Sequence, residues 1–179
     1  MAAYVVQGYS PKRDAAGQPN SGRFFAAYGA TYARQQDAAF AEWEVRKDSD
    51  LKDFWPRSEL SLGWKTHGWA IPEHGLTHYW TMFNPRQLLV HTQLLKAIVE
   101  VGNYDWKVRE YVLGAFQNFL RNQNSLAFWH MKLDKLAPAM SNSNFHPKNN
   151  VVEVGVFPPM GYGPWSSTYE VLFKGGEWA

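Results

Sequence analysis

The sequence predicts a mixed α+β fold that is mainly helical, and three observations lead to this fold class. The chain has 179 residues, of which 45% are apolar, enough to bury the core of one domain or of one domain plus an arm. Two segments near the middle, at about 84–101 and 105–120, carry apolar residues at helical spacing. Short stretches of β-favouring residues lie near the two ends of the chain. We therefore expect a helical centre flanked by short strands.

The first 27 residues predict an extended arm or a β-hairpin. Ala3–Tyr9 is rich in β-favouring residues, and Arg23–Ala27 is the next such stretch. Between them, residues 10–22 collect Pro, Gly, Asn and Asp, which favour turns. We expect two short strands around a long turn in 1–27, and a single helix-rich domain over 28–179.

Three helices are predicted in the larger domain. Residues 31–47 have helix-forming composition, with Trp43 on the apolar face. The next helix has the clearest start, because Asn84 is a good N-cap and Pro85 suits the first helical position. It is expected to end near Gly102-Asn103, a few residues before the third helix begins. Such a short connection predicts an antiparallel helical hairpin, 84–101 followed by 105–120.

The last predicted strand lies at Val151–Phe157, and a turn rich in Gly, Pro and Trp follows it. Aromatic residues make up 16% of the chain, and several lie in the irregular segment 57–82. Because aromatic rings are costly to leave in water, we expect this segment to pack against the rest of the protein.

Composition excludes several classes of protein. The chain has no cysteine, which excludes disulfide scaffolds, zinc–thiolate sites, iron–sulfur clusters and cysteine nucleophiles. Its formal net charge of +2 is too small to indicate nucleic-acid binding by itself. It lacks a long apolar run, and its first residues lack the pattern of a signal peptide. We therefore expect a cytoplasmic protein with no membrane partner.

No catalytic residue and no metal site are predicted. His74 and His78 have helical spacing, but Gly75 and the absence of a carboxylate motif argue against a metal site. The strand–turn segment ending in Phe157-Pro158-Pro159-Met160 resembles the motif with which methyltransferases hold adenine, yet phenylalanine cannot accept the hydrogen bond that the motif requires. His91, on an apolar helical face, is interpreted as a hydrogen-bonded core histidine.

Two polar clusters are the candidate nucleic-acid contacts. Arg86 and Gln87 lie in the first helical turn, where the helix dipole disfavours a cation. Arg86 therefore needs a partner, either a carboxylate of this chain or an external phosphate. The second cluster follows the third helix. Its residues could either cap the helix and anchor the loop or contact a ligand; they are Arg121, Asn122, Gln123, Asn124 and Ser125.

The ring-rich loop 64–80 is a further candidate. Lys65, His67 and His74 accompany its rings, which could stack on bases. Packing of the rings into the core is the alternative.

Taken in order, a series of segments resembles a family of large adenine-specific DNA methylases. The most distinctive piece is the helix start Phe83-Asn84-Pro85-Arg86-Gln87. The other pieces, in chain order, are Tyr4–Tyr9, Gly22–Phe25, Asn122–Leu126 with Trp129, Asn150–Glu153 and Gly161–Ser167. They extend over most of the chain.

The resemblance implies a role in an enzyme but not the catalytic parts. In that family a long central region, often with a zinc ribbon, separates two halves of a Rossmann-like methylase. An Asp-Pro-Phe-Gly-type loop binds S-adenosylmethionine, and an Asp-Pro-Pro-Tyr motif holds adenine. This chain matches the central region and lacks both motifs and the ribbon cysteines.

The resemblance therefore implies a non-catalytic scaffold with possible DNA contact, whose partners are DNA and the remaining catalytic halves. The cofactor would be bound by the full-length parent. On this interpretation Met1 is an internal methionine of a truncated reading frame, while a natural separate chain is the alternative.

Two other functions stay open at this point. One is a self-standing nucleic-acid-binding module that uses Arg86, Arg121 and Lys132 on phosphates. The other is a protein-interaction subunit that docks on a separate catalytic chain through aromatic surface. The DNA target sequence, the activity of the parent and the oligomeric state do not follow from the sequence.

Overall fold

A computed structural model of the chain describes residues 5–10, 22–60, 72–100, 105–130, 132, 135–138, 151–156 and 165–176. It confirms the mainly helical α+β class. In chain order the elements are β1 (Val5–Tyr9), β2 (Arg23–Ala27), α1 (Ala30–Arg46), α2 (Pro85–Glu100), α3 (Trp106–Leu120), β3 (Phe128–His130), β4 (Lys135–Ala137) and α4 (Trp165–Gly176), with 3-10 turns at Pro72–His74 and Tyr79–Met82. None of the helices in these ranges is both long enough and apolar enough to cross a bilayer.

The chain divides into two compact units, Met1–Ala41 and Glu42–Ala179, with the boundary inside α1. In the first unit β1 and β2 pair antiparallel, which confirms the predicted hairpin. A Cβ added to Gly8 would come within 2.4 Å of the end of the Phe24 ring on the opposite strand, so a side chain here would require that ring to move. The predicted turn residues 11–21 lie outside the described residues.

The predicted helical hairpin of the second unit is confirmed as α2 and α3. Asn84 caps α2, and the Asp105 side chain caps α3 by accepting a hydrogen bond from the Lys107 backbone N at 3.1 Å. His91 in the first half of α2 contacts Phe119 at the end of α3, with 5.3 Å between ring centroids. This contact brings the first half of α2 beside the end of α3, as expected for an antiparallel hairpin. The predicted stop at Gly102-Asn103 lies outside the described residues.

The core of the second unit centres on Phe119, whose side chain is 1% exposed. Its ring contacts Phe116, His91 and Trp165, the last with centroids 5.6 Å apart in an edge-to-face arrangement. The buried apolar residues of this unit are Trp43, Leu51, Met82, Leu88, Leu89, Ala115, Phe116, Phe119 and Ala127. They lie mostly in the first half of α2 and the second half of α3.

The strand predicted over Val151–Phe157 does not form in its described part. Val151 makes a single bridge with Phe128, and residues 152–156 have no strand geometry. The edge of β3 instead pairs with β4, from Phe128 opposite Ala137 to His130 opposite Lys135. Segment 151–156 is held by individual contacts, among them a hydrogen bond from the Val152 backbone N to the Ala127 carbonyl at 3.0 Å.

The C-terminal helix α4 was not predicted from the sequence. Its β-branched and aromatic residues and its two final glycines argue locally against a helix. Tertiary contacts outweigh that preference, because Trp165 packs on Phe119 and Tyr111 Oη donates a hydrogen bond to the Leu172 carbonyl at 3.4 Å. The predicted turn before the helix, at 161–164, lies outside the described residues.

Candidate functional site

The start of α2 is closed by a reciprocal pair of hydrogen bonds. The Gln87 backbone N donates to Asn84 Oδ1 at 2.9 Å, and the Asn84 backbone N donates to Gln87 Oε1 at 3.0 Å. This arrangement is a capping box, in which N-cap and third helical residue satisfy each other's backbone. Gln87 is 2% exposed, and its Nε2 has no partner among the described residues. The side chain of Gln87 therefore fixes the helix start from inside the protein.

Arg86 is paired with a carboxylate of the same chain. Arg86 Nε donates to Glu153 Oε1 at 2.7 Å, and Asn84 Nδ2 donates to Glu153 Oε2 at 2.9 Å. The Arg86 and Glu153 side chains are 41% and 28% exposed. The carboxylate offsets the unfavourable position of a cation at a helix N-terminus. Of the two partners that the sequence left open, the structure therefore provides the internal carboxylate.

Ser125 connects the loop after α3 to the same helix start. Its Oγ donates to Gln87 Oε1 at 3.2 Å, and its backbone N donates to the Met82 carbonyl at 2.8 Å. We call the set Asn84, Arg86, Gln87, Ser125 and Glu153 the α2 junction. The junction joins the start of α2 to two later segments of the chain, because Ser125 lies 38 residues after Gln87 and Glu153 lies 67 residues after Arg86.

The other predicted contact residues lie at the end of α3. Asn124 Nδ2 donates to the carbonyls of Leu120 and Arg121, each at 3.0 Å, and its Oδ1 accepts from the Leu126 backbone N at 2.9 Å. Asn124 thus caps the helix and anchors the loop, which is the first of the two roles that the sequence left open for this cluster. Asn122 is half-buried and Arg121 is exposed, and neither side chain takes part in the hydrogen bonds of the α2 junction described above.

His91 is a neutral core histidine. Its ring lies edge-on to Phe83 and Phe119, and its Nε2 donates to the Gln123 carbonyl at 2.7 Å. Burial lowers the pKa of His91 to about 4, against a smaller opposing effect of the hydrogen bond to Gln123. The imidazole is therefore uncharged near neutral pH, which fits packing better than acid–base chemistry. Gln123 itself is fully buried and reaches the Gly155 carbonyl at 3.5 Å.

Two concave sites lie beside these residues. The larger, which we call the aromatic cleft, has a volume of about 320 Å³. Its walls are mostly apolar and comprise Asp53, Phe54, Trp55, Pro56, Phe83, Leu88, His91, Thr92, Leu95, Phe116 and Leu120. The smaller, of about 200 Å³, is lined by Trp43, Glu44, Lys47, Trp55, Trp80, Phe83, Pro85 and Leu88. Sequence reasoning missed both, although the excess of rings before Asn84 was a signal for them.

The ring-rich loop contributes to these sites in part. Within its described portion, Trp80 is 39% exposed and His74 is exposed. Lys65 and His67 lie outside the described residues. Over the described ranges, no three His, Asp or Glu side chains form a group that could hold a metal ion.

Comparison of the chain with protein-family models, with curated proteins and with solved structures found no match.

Proposed function

We propose that this chain is the non-catalytic central region of an S-adenosylmethionine-dependent, adenine-specific DNA methyltransferase, that it acts in the cytoplasm, and that it serves as a scaffold with a DNA contact. One observation carries the proposal. The α2 junction is built from three of the segments on which the resemblance to these methylases rests, namely 83–87, 122–126 and 150–153.

The chemistry of the α2 junction supports a scaffold role over a catalytic one. Gln87 and Ser125 satisfy backbone and side-chain groups of the protein, and the Arg86 guanidinium is paired with Glu153. Residues used in this way position chain segments and leave no activated nucleophile or base. The residues of the α2 junction are therefore best explained by the contacts that they make between segments of the chain.

Arg121 is the best placed of the candidate DNA contacts. It is exposed at the end of α3, with the side chains of Asn122 and Asn124 next to it, and Lys132 is a second exposed cation. By contrast, Arg86 would have to leave Glu153 to bind a phosphate, and Gln87 is buried. The proposal therefore assigns phosphate contact mainly to Arg121.

The scaffold role is tested by cofactor binding. Isothermal titration with S-adenosylmethionine should give no heat with this chain alone and a saturable signal when the chain is joined to the catalytic halves of a methylase of this family. Saturable heat from the chain alone would contradict the claim that it lacks the cofactor site. A silent titration of the joined protein would contradict the assignment to a methylase.

DNA contact is tested by fluorescence anisotropy with a labelled duplex at low salt. We expect binding that weakens steeply as salt rises, and Arg121→Ala should reduce both the affinity and its salt dependence. Lys107→Ala is the matched control, because Lys107 is an exposed cation at the opposite end of α3. No binding by the unmodified chain, or equal losses in the two variants, would contradict the assignment of Arg121.

A protein-interaction subunit is a second candidate, favoured by the exposed apolar residues of α3 and α4. Trp106 is 62% exposed, Val171 67% and Phe173 72%. Where such side chains form one contiguous patch, they mark a surface that a partner covers. Light scattering that shows a clean monomer, together with no binding of an apolar dye, would count against this candidate.

A further inference from the structure

Three tryptophans of the second unit meet at right angles. The Trp43 and Trp55 rings are 5.6 Å apart at 80°, and the Trp55 and Trp80 rings are 6.4 Å apart at 81°. Together with Phe83 they form aromatic walls of the smaller concave site, of about 200 Å³, which we call the tryptophan pocket. Four of the eight residues that line this pocket are therefore aromatic.

The rings are held in place before any ligand arrives. Trp43 is 4% exposed, and the indole N of Trp55 donates to the Lys47 carbonyl at 2.9 Å. Trp80 is 39% exposed and belongs to the 3-10 turn Tyr79–Met82. Trp43 and Trp55 are thus fixed, and Trp80 is open to solvent. Binding of a ligand would therefore require little ordering of the protein.

The electrostatic character of the walls selects the kind of ligand. The faces of indole rings are negative and attract cations, most strongly those that are weakly hydrated. The guanidinium of Arg57, a residue that does not line the pocket, lies 4.3 Å from the centre of the Trp55 ring, so Trp55 already makes one cation–π contact in the folded protein. Glu44 adds a carboxylate to the lining, and Lys47 pairs with it at 2.7 Å. The charges of Glu44 and Lys47 balance, which leaves the rings as the main source of attraction.

The size of the pocket limits the ligand further. At about 200 Å³ it is smaller than the roughly 300–1,000 Å³ of sites for drug-sized ligands, and it suits a compact head group. A simple ammonium ion is strongly hydrated, whereas methyl groups on the nitrogen reduce hydration and add apolar contact with the rings.

We propose that the tryptophan pocket binds a quaternary ammonium group. The group could be carried by a free choline-like molecule or by a trimethylated lysine side chain, and the chemistry of recognition is the same for both. This inference is independent of the proposed scaffold function, because the walls of the pocket include none of the polar candidates for DNA contact, Arg86, Gln87, Arg121, Asn122 and Asn124, and its test uses no DNA or S-adenosylmethionine.

The test compares choline with its uncharged isostere, in which carbon replaces the nitrogen. The two molecules have nearly the same shape, so the difference in affinity reports the attraction between charge and rings. Titration followed by tryptophan fluorescence and by the indole N–H signals in NMR should show choline binding about tenfold tighter than the isostere. Equal affinities, or no binding of choline at millimolar concentration, would overturn the proposal.

Variants assign the binding to this pocket. Trp80→Ala should abolish choline binding, while Trp106→Ala, which removes an exposed tryptophan of α3, should leave it unchanged. Glu44→Gln provides a second variant at an exposed position, and we expect it to weaken choline binding about threefold. Retained affinity in both Trp80→Ala and Glu44→Gln would overturn the assignment.

Peptides distinguish the two sources of the ligand. Tighter binding of a trimethyl-lysine peptide than of choline would identify a modified protein as the source, and equal or weaker binding would identify a free small molecule. An unmodified lysine peptide is the control and should bind at least about tenfold more weakly than the trimethylated one. Equal binding of the modified and unmodified peptides would contradict recognition of the methylated cation.

Discussion

The two ends of the α2–α3 hairpin use similar residues but have opposite environments. At the end that holds the start of α2 and the end of α3, Leu88, His91 and Phe119 are buried. At the other end, Val99 is 37% exposed and Trp106 is 62% exposed. We call these the closed end and the open end. Helical periodicity identifies an apolar face at both ends, but it does not reveal which part of that face another element covers.

What covers the closed end comes from far along the chain. Trp165 of α4 packs on Phe119, and Glu153 joins the α2 junction. At the open end α4 is also near, since Tyr111 Oη donates to the Leu172 carbonyl, yet Tyr111 remains 52% exposed. The difference therefore depends on long-range contacts rather than on the composition of the helices.

The largest contrast is expected between core truncations at the two ends. Phe119→Ala should lower the free energy of unfolding by about 3–5 kcal/mol, because it leaves a cavity among Phe116, His91 and Trp165. Trp106→Ala, its matched control at the open end, should change it by about 0.5 kcal/mol or less. Urea denaturation followed by circular dichroism measures both, and similar losses would contradict the difference between the ends.

Acid should destabilise the closed end through His91. Its pKa is about 4 in the folded protein and near 6.5 in the unfolded chain, so the unfolded state binds the proton more readily. The free energy of unfolding should therefore fall as pH decreases from about 6.5 to about 4, by up to about 3 kcal/mol from this residue. His91→Gln, which keeps an N–H donor for the Gln123 carbonyl, should remove that part of the pH dependence. If the two proteins lose stability in parallel over this range, another group is responsible.

The capping box should have a smaller effect. Gln87→Ala removes the acceptor used by the Asn84 backbone N and by Ser125 Oγ, at an expected cost of about 2 kcal/mol. Gln117→Ala is the matched control, because Gln117 is an exposed glutamine of α3, and its effect should be within about 0.5 kcal/mol. Thermal unfolding of the two variants decides between a structural and a passive role for Gln87.

The smallest effect is expected from the ion pair of the α2 junction. A double-mutant cycle of Arg86→Ala and Glu153→Ala should give a coupling of about 1 kcal/mol, since both side chains are partly exposed. Lys96 and Glu100, an ion pair one helical turn apart in the second half of α2, should give only about 0.3–0.5 kcal/mol. A junction pair no stronger than this local pair would weaken the case for a scaffold role.

Local signals accounted for much of the fold. The N-cap Asn84 and the pairing of β1 with β2 follow from short-range chemistry and were predicted correctly, and the third helix, expected from residue 105, begins one residue later. Two features of the C-terminal part were not predicted correctly. A strand was expected over 151–157, whose described part forms none, and the helix α4 was not expected. Both depend on tertiary contacts, to Glu153 and Trp165, which outweigh local preference.

The site was predictable in kind but not in arrangement. A cation in the first turn of α2 indicated that Arg86 needed an anionic partner, but nothing in the sequence identified Glu153, 67 residues away. The tryptophan pocket was even less accessible, because its walls come from α1, from Trp55 and from the 3-10 turn at Tyr79–Met82. The ring-rich composition indicates that the rings pack against the protein. It does not indicate which rings meet or at what angles, because these depend on the folded chain.

Native-state hydrogen exchange tests the central claim most directly, namely that distant segments lock the closed end of the hairpin while the open end is left uncovered. We expect the amides of Leu88–Thr92 and of Ala115–Phe119 to exchange most slowly in the second unit, together with the amide of Ser125, and those of Val108–Tyr111 to exchange much faster. In Glu153→Ala the protection of the α2 start should fall, and that of Val108–Tyr111 should not change. Uniform protection along both helices, or no loss at the α2 start in the variant, would contradict the account.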